Sequence, residues 1–453
     1  MLEKLFRLKS HGTNVKTELA AGLTTFMTMA YILAVNPNVL SEAGMDKTAV
    51  LLATCLASFL GTLCMGLMAN LPFALSAGMG LNAYFTYTVV LGMGVTWQTA
   101  LLAVFVEGII FIILSVTKAR EALFNCIPLP LKHAVSVGIG LFICFIGLQN
   151  AGLSVDSATL VKLVNFRESF STSGIQALLA VIGVLLTAIL YIKKVPGSIL
   201  LGILGTWVLG MLCQLTGIYV PDPAAGFYSL FPTFTMTDFT ALSRTFGQCF
   251  RFDLHETGIF NFAVVVFAFL FVDLFDTLGT LIGVSAKANM LDQEGKLPGI
   301  RPALLADAIA TSAGAVLGTS TTSTFVESSA GVAAGGRTGL TAVTTAVLFL
   351  ASVFLAPLFT AIPAFATAPA LILVGFLMFT NITSIKFSDD NLTDTVPAYL
   401  CIIAMPLFYS VSEGISLGVL SYLVINICTG KAKKISPVMY VLGVLFLLKY
   451  IFL

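Results

Sequence analysis

Charge is what this sequence has least of. Only 10% of its 453 residues are Asp, Glu, Lys or Arg, while 58% are hydrophobic; an ordinary soluble domain carries about a quarter charged residues. That scarcity excludes a soluble globular chain. The net charge of +1 says nothing about nucleic acid, and with no basic patch interleaved with aromatics no such partner is expected. The eight Cys stand singly, mostly inside apolar segments, with no Cys-X-X-Cys pair and no His at ligand spacing. This argues against a metal centre and leaves packing as their role. No cofactor is expected. The opening residues MLEKLFRLKSHGTNVKT lack the apolar core and cleavage site of a signal peptide, so the first apolar span is expected to remain. No nucleophile and base pairing, zinc motif or phosphate loop emerges, and GVAAGGRTG lacks the strand and Lys of a P-loop. The chain does not read as an enzyme.

What is present is length of apolar sequence. AVVVFAFLFVDLFDTLGTLIGV (263–284) and GIQALLAVIGVLLTAILYI (174–192) reach the roughly 20 residues that a helix needs to cross a hydrocarbon core. Such runs recur throughout, which predicts an all-α polytopic membrane protein forming a single transporter domain over 1–453. We count fourteen spans, the first over 18–36 and the last over 412–429, with a further apolar helix at 436–452. With the N-terminus in the cytoplasm, seventeen Lys and Arg fall inside and five outside, namely Lys47, Lys162, Arg167, Arg244 and Arg251. That bias is what the positive-inside rule asks for. One mistaken span would reverse every loop after it.

Two segments break the pattern. PFALSAGMGLNAYFTY (72–87) is interrupted by small residues, and in GTSTTSTFVESSAGVAAGGRTG (318–339) nine of 22 residues are Ser or Thr and five are Gly. They are the third and the tenth segment. Fourteen spans divide into seven and seven, over 18–216 and 258–429, and an odd number makes the repeats inverted. Interrupted segments at matching places of inverted halves point to a transporter's binding site. Small-residue helix packing is the alternative, but packing does not need six consecutive Thr and Ser at 319–324 followed by a carboxylate. Irregular backbone survives at membrane depth only where protein or a wet cavity satisfies it.

Six carboxylates fall within spans: Glu107, Asp273, Asp276, Asp307, Glu327 and Glu413. Each is costly at the bilayer centre, by about 2.5–3.5 kcal/mol on the lenient scale. Asp273 and Asp276, three apart, share a helix face with Thr277; two neighbouring carboxyls form a candidate proton-coupling pair. Which of the two meets a substrate is left open by spacing. Glu327, followed by Ser328, is placed at the start of a short half-helix with free main-chain donors. Asn82 holds the matching place in the first half, with an amide that donates and accepts. Asn82, Asp273, Asp276, Thr277, Glu327 and Ser328 are therefore the expected substrate-binding residues, and Asp273, Asp276 and Glu327 the expected proton carriers. Glu107, Asp307 and Glu413 read as weaker, each bonding to nearby backbone, although Asp307 is open to a place on a proton route.

The segments AGLTTFMTMAYILAVNP (21–37), SAGMGLNAYF (76–85), FVDLFDTLGTLIGV (271–284) and TFVESSAGVAAGGRTGLTA (324–342) resemble the adenine/guanine/hypoxanthine permeases, the AzgA-like branch of the nucleobase-cation symporter 2 family. The likeness runs through the whole chain. It implies a core domain of segments 1–4 and 8–11, a gate domain of segments 5–7 and 12–14, and short antiparallel strands in segments 3 and 10. It also implies proton-coupled purine uptake by an elevator-like movement, and association as homodimers. By motif it assigns the eighth-segment carboxylate to Asp273 or Asp276, the tenth to Glu327 and the third-segment amide to Asn82. Glu-Ser-Ser-Ala-Gly at 327–331 has one residue more before Gly331 than the uracil and xanthine branch, which argues against that specificity. Phe26, Phe85 and Phe325 are candidates to cover a purine face. A channel or anion transporter on this fold would want a cation near the broken segments, and only Arg337 lies at their edge. An intramembrane enzyme would need a reacting pair, met only loosely by Asp276 and Asp307.

Overall fold

A computed structural model of the chain describes every residue except 1, 117–127, 158–159, 168–169, 223–226, 233–235, 253–256, 288–289, 291–296, 389–390 and 453. Of the seventeen basic residues expected inside, Lys118, Arg120 and Lys296 lie outside the described residues, as does one of the eight Cys, Cys126. Among the described residues, eleven helical stretches are long and apolar enough to cross a membrane, and Leu392–Leu407 and Pro437–Leu448 are shorter apolar helices.

The first stretch, Val15–Glu42, is two helices, α1 (Val15–Met29) and α2 (Ile32–Glu42), interrupted at Ala30 and Tyr31. Pro37 inside α2 brings no N–H to the ladder. α3 (Lys47–Cys64) follows, then the first broken segment: β1 (Leu75–Ala77), α4 (Met79–Ala83) and a π-helical turn over Tyr84–Gly92. Next come α5 (Trp97–Val116), α6 (Leu129–Asn150), the paired strands β2 (Ser154–Ser157) and β3 (Leu160–Leu163), α7 (Ile175–Ile192) and α8 (Ser198–Leu215). The β2–β3 ladder, ahead of the apolar run at 174–192, is added by the structure.

The second half begins with the continuous 29-residue α9 (Ile259–Lys287) and α10 (Ile300–Leu317). The second broken segment is β4 (Thr322–Thr324) and the six-residue α11 (Ser328–Ala333). After it come α12 (Gly339–Ala351), α13 (Ala364–Phe379), α14 (Leu392–Leu407), α15 (Val411–Cys428) and α16 (Pro437–Phe452). Helix starts carry the expected caps: Asn14 Oδ1 accepts from Thr17 N at 3.0 Å, Asp46 Oδ1 from Ala49 N at 2.9 Å and Ser410 Oγ from Glu413 N at 3.3 Å.

The two broken segments meet. β1 and β4 pair antiparallel, with Leu75 opposite Thr324, Ser76 opposite Ser323 and Ala77 opposite Thr322. The ladder is extended by Gly78 N to Thr321 O and Phe325 N to Ala74 O, both 3.0 Å. A two-stranded ribbon has two free edges, which cannot stay unpaired in a water-poor interior. Threonines from the preceding long helices serve both. Thr62 of α3 accepts from Leu75 N at 2.9 Å and donates to Leu75 O at 3.0 Å, while Thr311 of α10 donates to Thr322 O at 2.9 Å.

The helices pack as two groups. α1 and α3 lie against α12, α10 against α3 and α5, α9 against α5, and α11 against α1. In the other group α13 and α14 lie against α6, α7 and α8 against each other and against α13, and α15 against α14. The groups touch where α6 meets α4 and α9 and where α2 meets α13. The last helix, α16, docks on α15 through Tyr450, whose hydroxyl donates to Glu413 Oε2 at 2.5 Å and lies 2.7 Å from Ser416 Oγ. Phe446 of α16 also meets Phe267 of α9 edge-on, with centroids 5.7 Å apart.

Candidate functional site

The site is built around the β1–β4 sheet. The chain after β4 turns sharply at Val326 and Glu327: Ser328, Ser329 and Ala330 N–H close back on the carbonyls of Phe325, Val326 and Glu327 at 3.2, 3.0 and 2.9 Å. These three amides are therefore engaged. The expectation of free main-chain donors there is corrected, because the first turn closes on itself before α11 begins. Glu327 is partly exposed. Its Oε1 accepts from the Tyr31 hydroxyl at 2.7 Å.

α9 presents its two acids to different surroundings. Asp276 is partly exposed and accepts from Ser323 Oγ of β4 at 2.9 Å. It also lies within electrostatic range of Tyr31 and Glu327. The approach depends on a bare backbone at Gly78, where a Cβ would stand 2.7 Å from Ser323 Oγ and 3.5 Å from Asp276 Oδ2. Asp273, by contrast, is fully buried. Thr277, one turn on, is 3.0 Å from Asp273 Oδ1 and 3.0 and 3.1 Å from the two oxygens of Asp307 on α10. All three groups are fully buried. The face shared by Asp273, Asp276 and Thr277 thus divides into an open end and a closed end.

The remaining expected residues are also placed around the sheet. Asn82 on α4 is fully buried, and its Oδ1 accepts from Ser320 Oγ just before β4, while among the described residues Nδ2 has no hydrogen-bond partner. Ser328 is turned to the other broken segment, its Oγ accepting from Ala74 N at 3.0 Å. Glu107 on α5 takes a hydrogen bond from Thr321 at 2.8 Å, so it reaches the Ser/Thr run. Of the aromatic candidates, Phe85 is fully buried beside Phe269, Phe325 is buried, and Phe26 packs edge-on against Phe349 at 5.3 Å.

Two groups were missed by the sequence reading. Tyr31 lies in the quoted motif at 21–37, but nothing local marks its partner. Glu18 is fully buried and caps α12: it accepts from Arg337 N at 2.9 Å, Thr341 N at 3.1 Å and Thr341 Oγ1 at 2.6 Å. A carboxylate at a helix N-terminus satisfies orphan donors and complements the dipole. The signal that could have found it was its position at the very edge of the first span. Arg337 Nη1 donates to Val332 O at 2.6 Å and Gly336 O at 2.7 Å, which closes the C-terminal end of α11. Seven cysteines are described and free, with Cys55, Cys249 and Cys401 buried, and no acid, Cys and His cluster able to hold a metal is found among the described residues.

The comparisons with known proteins agree with this architecture. The Permease family profile (Xan_ur_permease) matches residues 16–448. The guanine/hypoxanthine permease PbuO of Bacillus subtilis (strain 168) is 44% identical over 98% of this chain and 99% of its own. The adenine permease AdeP of Escherichia coli (strain K12) is 40% identical over 100% of this chain and 96% of its own. Among solved structures, the transmembrane domain of a cyanobacterium bicarbonate transporter, BicA, superposes with a TM-score of 0.60 at 15% identity, covering 92% of this chain and 97% of that one. Murine Slc26a9, an anion transporter in the inward-facing state, gives 0.59 at 11% identity, over 91% and 68%. At such identities the two structures speak for the fold alone. The chain belongs to the Permease family, and within it to the AzgA-like branch that its motifs resemble; it is a multi-pass membrane transporter, not an enzyme.

Proposed function

We propose that the protein takes up a purine nucleobase, hypoxanthine, guanine or adenine, across the cytoplasmic membrane together with a proton. The observation that carries this reading is the pair of partly exposed carboxylates, Glu327 and Asp276, each held from one side by a hydroxyl beside the β1–β4 sheet. A purine edge offers ring N–H donors to such carboxylates, and the unpartnered Asn82 amide can donate to a ring nitrogen or exocyclic oxygen. Asp276 is thereby the α9 acid that meets the base, and Asp273 with Thr277 forms the support behind it. The purine names of PbuO and AdeP, nearly collinear with this chain, favour the same substrate class.

The proton has a place in the same cluster. One Thr277 hydroxyl proton cannot serve both Asp273 and Asp307, yet both stand about 3.0 Å from it; the second contact is favourable when one acid carries a proton. Proton transfer among Asp273, Asp276 and Glu327 would then couple to loading, and only a different affinity in the two facing states drives the cycle.

For the carrier itself, we read fourteen segments in two inverted repeats of seven with the N-terminus in the cytoplasm. The eleven long stretches, Leu392–Leu407 and the two broken segments make up that number, and α16 stands outside it. The matching roles of Thr62 and Thr311 support the repeat. The two packing groups are suited to act as core and gate in an elevator-like movement, with homodimers formed in the bilayer.

Anion transport is the second reading, because the solved neighbours carry that description. Two partly exposed carboxylates stand beside the β1–β4 sheet, and Arg337 is turned to main-chain carbonyls, which disfavours an anion. Uptake of radiolabelled hypoxanthine, with unlabelled adenine, guanine and bicarbonate as competitors and with a protonophore, tests both. Accumulation blocked by purines and by the protonophore supports the proposal. Competition by bicarbonate alone, or accumulation indifferent to the protonophore, refutes the substrate or the coupling respectively.

A further inference from the structure

We infer that Tyr31 is a positioning residue for purine recognition: its hydroxyl fixes the Glu327 carboxylate so that one oxygen is held and the other is presented to the base. This rests on the reading of Glu327 as a purine ligand. Tyr31 stands at the interruption between α1 and α2, where Ala34 and Val35 N–H both turn to its carbonyl at 3.0 Å. It is fully buried and among the largest such side chains. A buried phenol needs a partner for its O–H, and Tyr31 has Glu327 Oε1 at 2.7 Å, a residue 296 positions away. Thr28, near the end of α1 and three positions earlier, reaches the Glu327 carbonyl at 3.5 Å. The first segment therefore touches both ends of the residue, its main chain and its carboxylate.

The consequence is preorganisation. A free Glu side chain has three rotatable bonds and loses freedom on binding; one already tied by a charge-assisted hydrogen bond loses less. Removing the hydroxyl leaves ring packing unchanged and releases the carboxylate. Affinity should fall while turnover of the loaded carrier is kept.

The experiment measures hypoxanthine uptake by the full-length protein and by Tyr31→Phe in proteoliposomes, with the thermal unfolding midpoint of each. We expect KM to rise roughly tenfold, with Vmax within about twofold and an almost unchanged midpoint. An unaltered KM overturns the inference, whether Vmax falls or not. Loss of folded protein in Tyr31→Phe assigns the hydroxyl to stability of the fold and also overturns it. If the unsubstituted protein takes up no purine, the reading of the site falls first and the inference with it, a pattern distinct from a working carrier that ignores the substitution.

Discussion

The two broken segments share a scaffold and differ in what they do with it. Each consists of a strand and a short helix, each strand pairs with the other, and each free edge is completed by a Thr from the long helix before it. In the first segment the run from Leu71 to Val89 is buried apart from the half-buried Gly80, contains no charge, and continues from α4 into the π-helical turn. In the second, Val326 and Glu327 emerge from the buried strand, α11 lasts six residues, and Arg337 closes its end. The same ribbon is used as a wall on one side and as the carrier of a carboxylate on the other. Charge is confined to the segment that becomes exposed soon after its strand, at Val326 and Glu327, so its carboxylate is partly exposed instead of buried.

That contrast can be broken by substitution. The largest difference is expected between Glu327→Gln and Asn82→Ala: on this reading the first lowers purine uptake by roughly a hundredfold and the second by about tenfold, as loss of a charged and of a neutral hydrogen-bonding group imply. Initial uptake rates, normalised to membrane-inserted protein, measure both, and equal losses would erase the asymmetry.

Methyl groups added at Gly331 and Gly78 separate packing from transport. A Cβ at Gly331 would stand 2.7 Å from the Ala21 carbonyl of α1, a main-chain atom with little room to yield. Gly331→Ala should therefore destabilise by about 1–3 kcal/mol, as overpacking does, read as a lower unfolding midpoint in detergent. Gly78→Ala pushes on Ser323 Oγ and the Asp276 carboxylate, so its main effect should appear in KM for the base. An unchanged KM in Gly78→Ala would remove Asp276 from the contacts with the base.

Smaller effects grade the two edges of the ribbon. Thr62→Val leaves both Leu75 N–H and C=O without that hydroxyl, whereas Thr311→Val frees only the Thr322 carbonyl. With about 1–3 kcal/mol for each buried unsatisfied group, Thr62→Val should cost about twice as much in chemical denaturation. Smallest is Ser328→Ala, which removes the acceptor for Ala74 N–H and should cost about 1 kcal/mol with uptake retained. A large uptake defect there would make Ser328 a ligand.

The motif at 324–342 announced a break followed by a carboxylate, and the strand, the turn and α11 follow in that order. Asp273 and Asp276 were legible as a pair on one helix face, but not as opposites. Spacing places both on the same side of α9, and only the neighbours, Ser323 for one and Thr277 with Asp307 for the other, make one partly exposed and one buried. Glu18 was passed over because its four donors come from Arg337, Thr338 and Thr341, more than 300 residues later. Glu107 and Glu413 looked like acids bonded to nearby backbone, and their hydroxyl partners Thr321 and Tyr450 lie on other elements.

By itself the sequence determined that this chain lives in a bilayer and that it breaks at 72–87 and 318–339. Both are local properties: apolar length decides what lipid accepts, and Thr, Ser and Gly decide where a helix cannot run on. Tertiary structure alone decided the register of β1 on β4 and which acids stay open. It also decided that Tyr31 holds Glu327, because a buried polar group is satisfied by whatever the packing brings within about 3 Å, and that partner has no fixed distance along the chain.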